Sequence, residues 1–250
     1  MKDVFRSIEE NRNFMKSPFG KFNYMSDQQK GANQPPLFKA PGGGEIIRLT
    51  RDFEGVVVQN CFSALVNERI SIRSFSNEPM TLEQISFLLW STQGVKSVSQ
   101  DGYRTMRTVP SAGARHPFEV YIAAINIRGL SASLYHYLPN AHEMELWQRE
   151  ERLKDKVTAA LSGQRWASEA GAVFIYSVIP YRGEWRYGTA SHKVMLIDAG
   201  HAAQNLYLSA HAVGCGACAV GHYDQNALDS LLGLDGRDEF CIYAVPVGVV

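Results

Sequence analysis

Residues 191–213 constrain this chain more than any other stretch, because they read as one long helix that leaves no fully polar face. Val194, Leu196, Ile197, Ala199, Ala202, Ala203, Leu206, Leu208, Ala210 and Ala212 fall all around it, and charges are few. Such a helix has to be buried, in a core or against another subunit. The rest of the chain offers material to bury it. Residues 118–127 (FEVYIAAINI), 134–138, 172–179 and 240–247 are rich in β-branched and aromatic side chains and predict strands. Residues 53–68 predict a helix with Val56, Val57, Phe62 and Leu65 on one face, and 150–161 and 226–232 predict two more. Thr81 and Gln84 have capping-box spacing, opening a helix that carries Leu82, Ile85, Leu88 and Leu89 and stops at Gly94. Strands separated by helices of unequal length imply an α+β sheet flanked by helices and not a regular doubly wound one.

Residues 17–44 are polar and broken by Pro35, Pro36 and Gly42 to Gly44, which predicts an arm without regular structure. The chain therefore divides into an N-terminal arm, residues 1–50, and a single domain, residues 51–250. Lys and Arg number 25 and so do Asp and Glu, so no net field draws the chain to nucleic acid or an anionic membrane. No window approaches the roughly 18 uninterrupted apolar residues of a membrane span. Cys61, Cys215, Cys218 and Cys241 are too scattered for a disulfide framework. Together these features lead us to expect a cytoplasmic protein, with no nucleic-acid or membrane partner.

Three places carry candidate chemistry. In Arg69-Ile70-Ser71-Ile72-Arg73, polar residues alternate with apolar ones, so an extended backbone turns both arginines and the serine to one side and both isoleucines to the core. Two guanidinium forks and a hydroxyl suit a phosphate. An exposed strand whose arginines pair with Glu68 or Glu78 explains the same pattern. Pro110 to Pro117 is a loop of small residues that lets a flat ligand approach the backbone, or is a plain turn. Residues 213–221 (VGCGACAVG) offer a second such surface. Their Cys215-x-x-Cys218 pair lacks a full zinc set, since only His211 and His222 lie near and no second pair exists, so no metal is expected. Within the aromatic stretch 181–188, Arg186 and Tyr187 are the catalytic candidates, a phenol able to exchange a proton beside a cation.

Taken in order, the segments SDQQKGANQPP, ERISIRSFSNEPMTLEQISFLLWSTQG, RTVPSAGARHPFEVYIAA, WRYGTASHKVMLIDAGHAAQNLYLSAHAVGCGAC and LLGLDGRDEFCIYAVPVG resemble the nitroreductase-like flavoproteins. Within that family they look like the SagB-type dehydrogenases, which oxidise azolines to azoles in peptide natural products. The resemblance implies the nitroreductase fold, with a central mixed or antiparallel sheet and an intertwined homodimer whose central helix includes Gly200, Gln204 and Asn205. It implies FMN at sites built from both subunits. Arg69, Ser71 and Arg73, with the Ile70 backbone, would hold the phosphate and ribityl chain. Pro110, Ser111, Ala112 and Gly113 would meet the flavin ring from the other subunit. Cys218, Ala219, Val220 and Gly221 would cover the ring near its reactive nitrogen, with Gln164 reaching it.

Arg186 and Tyr187 align with the Lys-Tyr pair of the SagB-type enzymes. Arginine cannot serve as a base at neutral pH, so Tyr187 would carry the proton. Many family members add basic residues beyond the last strand, and with none before Val250 the phosphate is expected to rest on Arg69 and Arg73. The expected function is an FMN-dependent oxidoreductase acting on an azoline-bearing peptide or a small heterocycle, alongside other biosynthetic enzymes. The alternatives are a stand-alone nitro or quinone reductase drawing electrons from NAD(P)H, and a non-catalytic flavin-binding scaffold subunit. Residues 96–107 and 181–188 are expected to form the variable loops around the substrate.

Overall fold

The apolar runs do form strands, and their two-residue alternation sorts the core into two layers. A computed structural model describes residues 2–17, 19–20 and 23–250; Met1, Pro18, Lys21 and Phe22 of the expected arm lie outside the described residues. The helices are α1 (Lys2–Phe14), α2 (Phe62–Glu68), α3 (Leu82–Gln93), α4 (Leu153–Ala160), α5 (Tyr181–Tyr187), α6 (Ser191–Ala212) and α7 (Gln225–Leu232). The strands are β1 (Ile46–Arg48), β2 (Val95–Val98), β3 (Thr105–Arg107), β4 (Phe118–Ala124), β5 (Ser133–Leu138), β6 (Glu143–Arg149), β7 (Ala172–Val178), β8 (Cys215–Ala217) and β9 (Phe240–Val249). Seven of them form one antiparallel sheet in the order β1-β6-β5-β4-β7-β9-β8. From β4 and β7, Val120, Ile122, Phe174 and Tyr176 face α3 and α6, burying Ile85, Leu88, Leu89, Ala202 and Leu206. Their neighbours Tyr121, Ala123, Val173 and Ile175 face α4 and α7, burying Leu153, Val157, Leu228 and Leu232. A sheet covered on both faces needs continuously apolar central strands, as these are.

The capping box forms: the Thr81 hydroxyl accepts from the Gln84 amide at 3.2 Å, the Gln84 side chain accepts from the Thr81 amide at 2.8 Å, and α3 ends at Gly94. A Cβ at Gly94 would lie 2.5 Å from the Trp90 ring. Helix α6 is buried along one side only. Leu196 and Ile197 remain 54% and 48% exposed, and with Gly200, His201 and Gln204 they form an exposed stripe among the described residues.

An ion network in the second layer ties down residues 36–43 of the arm. His136, fully buried, sits between Glu119 (2.9 Å) and Glu145 (3.0 Å), and Arg182 pairs with Glu119 at 2.6 Å. Glu145 also accepts the amides of Gly42 and Gly43, while Arg182 donates to the Pro36 carbonyl. Burial alone would raise the pKa of Glu119, but Arg182 and His136 outweigh it and hold the carboxyl at about 2. Lys39 pairs with Glu239 at 2.5 Å, so the arm carries its own cation into the network.

Four expectations need correction. The helix expected over 53–68 is only Phe62–Glu68, because Gly55 turns at φ +77° and Val58 and Gln59 donate their amides to the Ala212 carbonyl. Ile70 does not enter the core and is 64% exposed. Residues 95–107 are a β-hairpin in which only 99–104 are a loop, and residues 181–187 are a helix. Strand β6 carries a two-residue alternation that a Glu- and Gln-bearing sequence conceals, and α1 and β1 were likewise not anticipated.

Candidate functional site

After α2 the chain runs extended along the sheet edge. The Ile72 amide donates to the Ala217 carbonyl at 3.0 Å and the Ser76 amide to Val249 at 2.8 Å. Glycines make this approach feasible: a Cβ on Gly216 would lie 2.7 Å from the Ile72 side chain, and one on Gly248 would lie 2.9 Å from Phe75. Ile72 is thereby the inward residue of the segment, and Arg69, Ser71 and Arg73 turn away from it. The Arg69 guanidinium lies 5.4 Å from the Tyr207 ring centre, and the Ser71 hydroxyl bonds the Tyr207 hydroxyl at 3.2 Å. Arg73 lies instead over Trp166, at 5.7 Å. Among the described residues neither arginine has a carboxylate within ion-pair distance. Of the two acids that the exposed-strand reading offers as partners, Glu68 pairs with His211 at 3.0 Å and Glu78 pairs with neither arginine.

Tyr207, which sequence reasoning did not single out, joins this segment to residues 218–221. Its hydroxyl accepts the Ala219 amide at 2.7 Å, while the Val220 amide donates to Ala244 at 2.7 Å. A tyrosine in an apolar helix is easily taken for core; its place about two turns before the glycine-rich stretch was the available signal. Gln164 reaches the same neighbourhood, its side-chain amide donating to the carbonyls of His222 (2.8 Å) and Leu161 (3.0 Å). Gly221 is exposed, with open space where a Cβ would stand. Cys215 and Cys218 are buried free thiols, and burial pushes Cys215 up to about 12, so it stays protonated at neutral pH. Among the described residues no group of three His, Cys, Asp or Glu is placed to hold a metal ion.

The other candidates gather elsewhere. The Ser111 hydroxyl accepts the His116 amide at 2.9 Å, and the Ala112 amide donates to the buried Asp198 carboxylate of α6 at 2.9 Å. Pro110 is exposed at the start of this loop. Gly113 takes φ +60°, and a Cβ there would lie 2.5 Å from the Tyr187 hydroxyl and 3.0 Å from Arg186 Nε. The guanidinium of Arg186 lies 5.2 Å from the Tyr187 ring centre and donates to the Tyr103 hydroxyl. Arg115 stacks on the same Tyr103 ring at 4.5 Å and donates to the Gly113 carbonyl at 3.1 Å. Desolvation raises the Asp198 pKa against the hydrogen bonds from Ser111 and Ala112.

Helix α6 carries both groups and separates them. Tyr207 belongs to the first and Asp198 to the second; nine residues apart, they are offset by about 13 Å along the axis and half a turn around it. The protomer thus unites Arg69 and Ser71 with residues 218–221 and Gln164, and separately unites Ser111, Ala112 and Gly113 with Arg186 and Tyr187. It does not unite the two. Among the described residues no helix is long and apolar enough to cross a membrane.

The sequence profile of the nitroreductase family matches residues 66–249. A Methanocaldococcus jannaschii protein classed as a nitroreductase is 31% identical over 181 residues, covering 72% of this chain and 87% of that protein. The trifolitoxin-processing protein of Rhizobium leguminosarum bv. trifolii is 30% identical over 139 residues, 54% of this chain and 37% of that protein. The crystal structure of a nitroreductase-class protein from Ralstonia eutropha superposes with a TM-score of 0.67 at 25% identity, covering 87% of this chain and 95% of the other.

Proposed function

The chain belongs to the nitroreductase family, and from that premise we propose that it is an FMN-dependent oxidoreductase whose two half-sites are joined by a second copy of itself. The observation that carries the proposal is the pair of guanidiniums, Arg69 and Arg73, on either side of Ser71 in the segment and without a carboxylate partner among the described residues. That donor set fits a dianionic phosphate, and the open space at Gly221 leaves room for a flat ring beside it. FMN bound there supplies two-electron chemistry, a hydride passing to or from the flavin ring. Arg69 and Arg73 would neutralise the phosphate, Ser71 would donate to it, and the ring would lie against the backbone at Gly221, the Ala219 and Val220 amides being committed to Tyr207 and Ala244.

The second half-site supplies proton chemistry. The Tyr187 phenol takes or returns the proton at its hydroxyl oxygen, and the Arg186 cation lies beside its ring. The exposed apolar stripe of α6, with Phe62 and Val66 of α2 and the following Ile70 also uncovered, supports a homodimer that buries these residues. On the partner the half-site at Gly113 and Tyr187 then meets the phosphate half-site of the first copy. We assign the substrate to the azoline class, as in the SagB-type dehydrogenases, and the similarity to a trifolitoxin-processing protein supports that choice. Assembly with other biosynthetic enzymes belongs to the same reading. A second reading, a stand-alone reductase fed by NAD(P)H, is favoured by the similarity to the M. jannaschii nitroreductase-class protein.

The visible spectrum of the purified protein tests the cofactor. The account expects flavin bands that disappear in the Arg69→Ala/Arg73→Ala variant; a colourless wild-type protein that takes up no FMN contradicts it. Rapid bleaching by NAD(P)H selects the reductase, and slow bleaching with oxygen uptake that depends on a thiazoline peptide selects the dehydrogenase.

A further inference from the structure

A cavity of about 270 Å³ lies over the Arg186–Tyr187 pair, and its outer wall is the N-terminal arm. Phe19, Tyr24, Gln28 and Gln29 stand opposite the two helical residues. The Phe19 ring meets Tyr187 edge-on at 5.7 Å between centres. The arm is seated on α5 by direct bonds: the Gln28 amide donates to the Trp185 carbonyl at 2.8 Å, and the Trp185 indole donates to the Ala32 carbonyl at 2.9 Å. The Gln28 side chain donates to the Tyr103 hydroxyl at 2.7 Å, the same oxygen that receives Arg186.

The electrostatics of this cavity are unbalanced. Arg186 lines the cavity and Arg115 lies outside its wall, both near the Tyr103 ring, 5.8 Å and 4.5 Å from its centre, and among the described residues neither has a carboxylate within ion-pair distance. The neighbouring acids are committed elsewhere: Asp198 accepts the Ala112 amide, Glu184 pairs with His192, and Asp27 pairs with Lys30. Burial lowers the Arg115 pKa and the charge of Arg186 lowers it further. Partly buried like charges without a counter-ion point to an anionic ligand.

We propose that this arm-walled cavity is the substrate pocket and that it selects a single planar ring bearing a carboxylate. The carboxylate sits on Arg186 and the ring packs against Tyr187 and Phe19. The inference rests on reading Arg186 and Tyr187 as the proton-transfer half of the site. The volume accommodates one ring with its acid group and little beyond it. A free heterocyclic acid and a peptide ending in a heterocyclic carboxylate share this chemistry.

Isothermal titration of the FMN-saturated full-length protein with thiazole-4-carboxylate and with thiazole-4-carboxamide tests the charge preference. The acid should bind at least about tenfold more tightly than the amide. Arg186→Met should erase that preference and Arg186→Lys should keep part of it, while Phe19→Ala should weaken acid and amide alike. A glycyl peptide ending in thiazole-4-carboxylate that binds more tightly than the free acid would identify a peptide end as the source, and weaker binding would identify a free acid. Equal binding of acid and amide, or an Arg186→Met protein that binds the acid normally but has an altered flavin potential, would overturn the proposal. So would binding unaffected by Phe19→Ala. Heat of binding needs no flavin: a protein that takes up no FMN yet prefers the acid would sink the cofactor assignment and leave this pocket standing. A yellow protein indifferent to the acid would do the reverse.

Discussion

The segment at Arg69 to Arg73 and the helix at Arg186 and Tyr187 both present cations with no carboxylate partner among the described residues, yet they are held in opposite ways. The first is fixed by backbone bonds to β8 and β9 and by glycines that admit Ile72 and Phe75 into direct contact with the sheet. The second is roofed by side chains and peptide groups of an arm that the ion network at His136 anchors from behind. A rigid edge suits a cofactor that stays, because preorganised donors lose little on binding. A pocket with a separate wall suits a molecule that must enter and leave.

Substitutions should break this contrast cleanly. The largest effect belongs to Arg69→Ala/Arg73→Ala, which should weaken FMN binding by about a hundredfold or more, two charge-assisted contacts at about 1.5–3 kcal/mol each; FMN content after gel filtration checks it. Next comes Tyr187→Phe, which should lower kcat by about 10²-fold with FMN content unchanged, the scale of losing one proton-transfer group. Unchanged turnover with bound FMN would instead favour the scaffold-subunit alternative. Gly216→Ala should loosen the first region alone, because its Cβ must displace Ile72; about tenfold weaker FMN binding with normal affinity for a substrate analogue would sharpen the distinction.

The smallest effect is on stability. Burial first, then the charges of Arg107 and Arg115 among others, lower the His116 pKa to about 3, so the folded protein keeps this imidazole neutral. The unfolded chain protonates it below about 6.5, so stability is full above that pH and declines as pH falls toward 3. His116→Gln should flatten the decline of Tm between about pH 6.5 and 4, and an unchanged slope would show that His116 does not contribute to it.

Much of the fold was legible because its signals were local. The Thr81–Gln84 box, the continuous apolar runs of β4 and β7, and the length of α6 each specify an element from neighbouring residues. What escaped depended on partners distant in sequence. Glu145 in β6 reads as a solvent residue until His136 and the amides of Gly42 and Gly43 enclose it. Val56 to Val58 continue an apolar pattern, but the amides of Val58 and Gln59 are claimed by Ala212 across the fold. At the site, alternation marked Arg69, Ser71 and Arg73 as sharing a side, yet only tertiary contacts show Arg69 and Ser71 meeting at Tyr207 while Arg73 turns to Trp166. The inward placement expected for Ile70 failed because this segment lies along the sheet edge with one covered side, which Ile72 occupies.

Separation of the two half-sites by half a turn of α6 is the claim on which the account rests, and a mixed dimer tests it directly. Co-expression of an Arg69→Ala/Arg73→Ala chain with a Tyr187→Phe chain, under different affinity tags, yields heterodimers that can be purified in two steps. Turnover is read with whichever of a thiazoline peptide or NAD(P)H plus a nitroarene the wild-type protein accepts. If each site draws one half from either subunit, the heterodimer holds one fully intact site, and it should bind one FMN and recover about half the wild-type rate although both parent homodimers are inactive. If each site lies within a single subunit, every site in the heterodimer carries a defect, and a rate no higher than that of the parents would contradict the account.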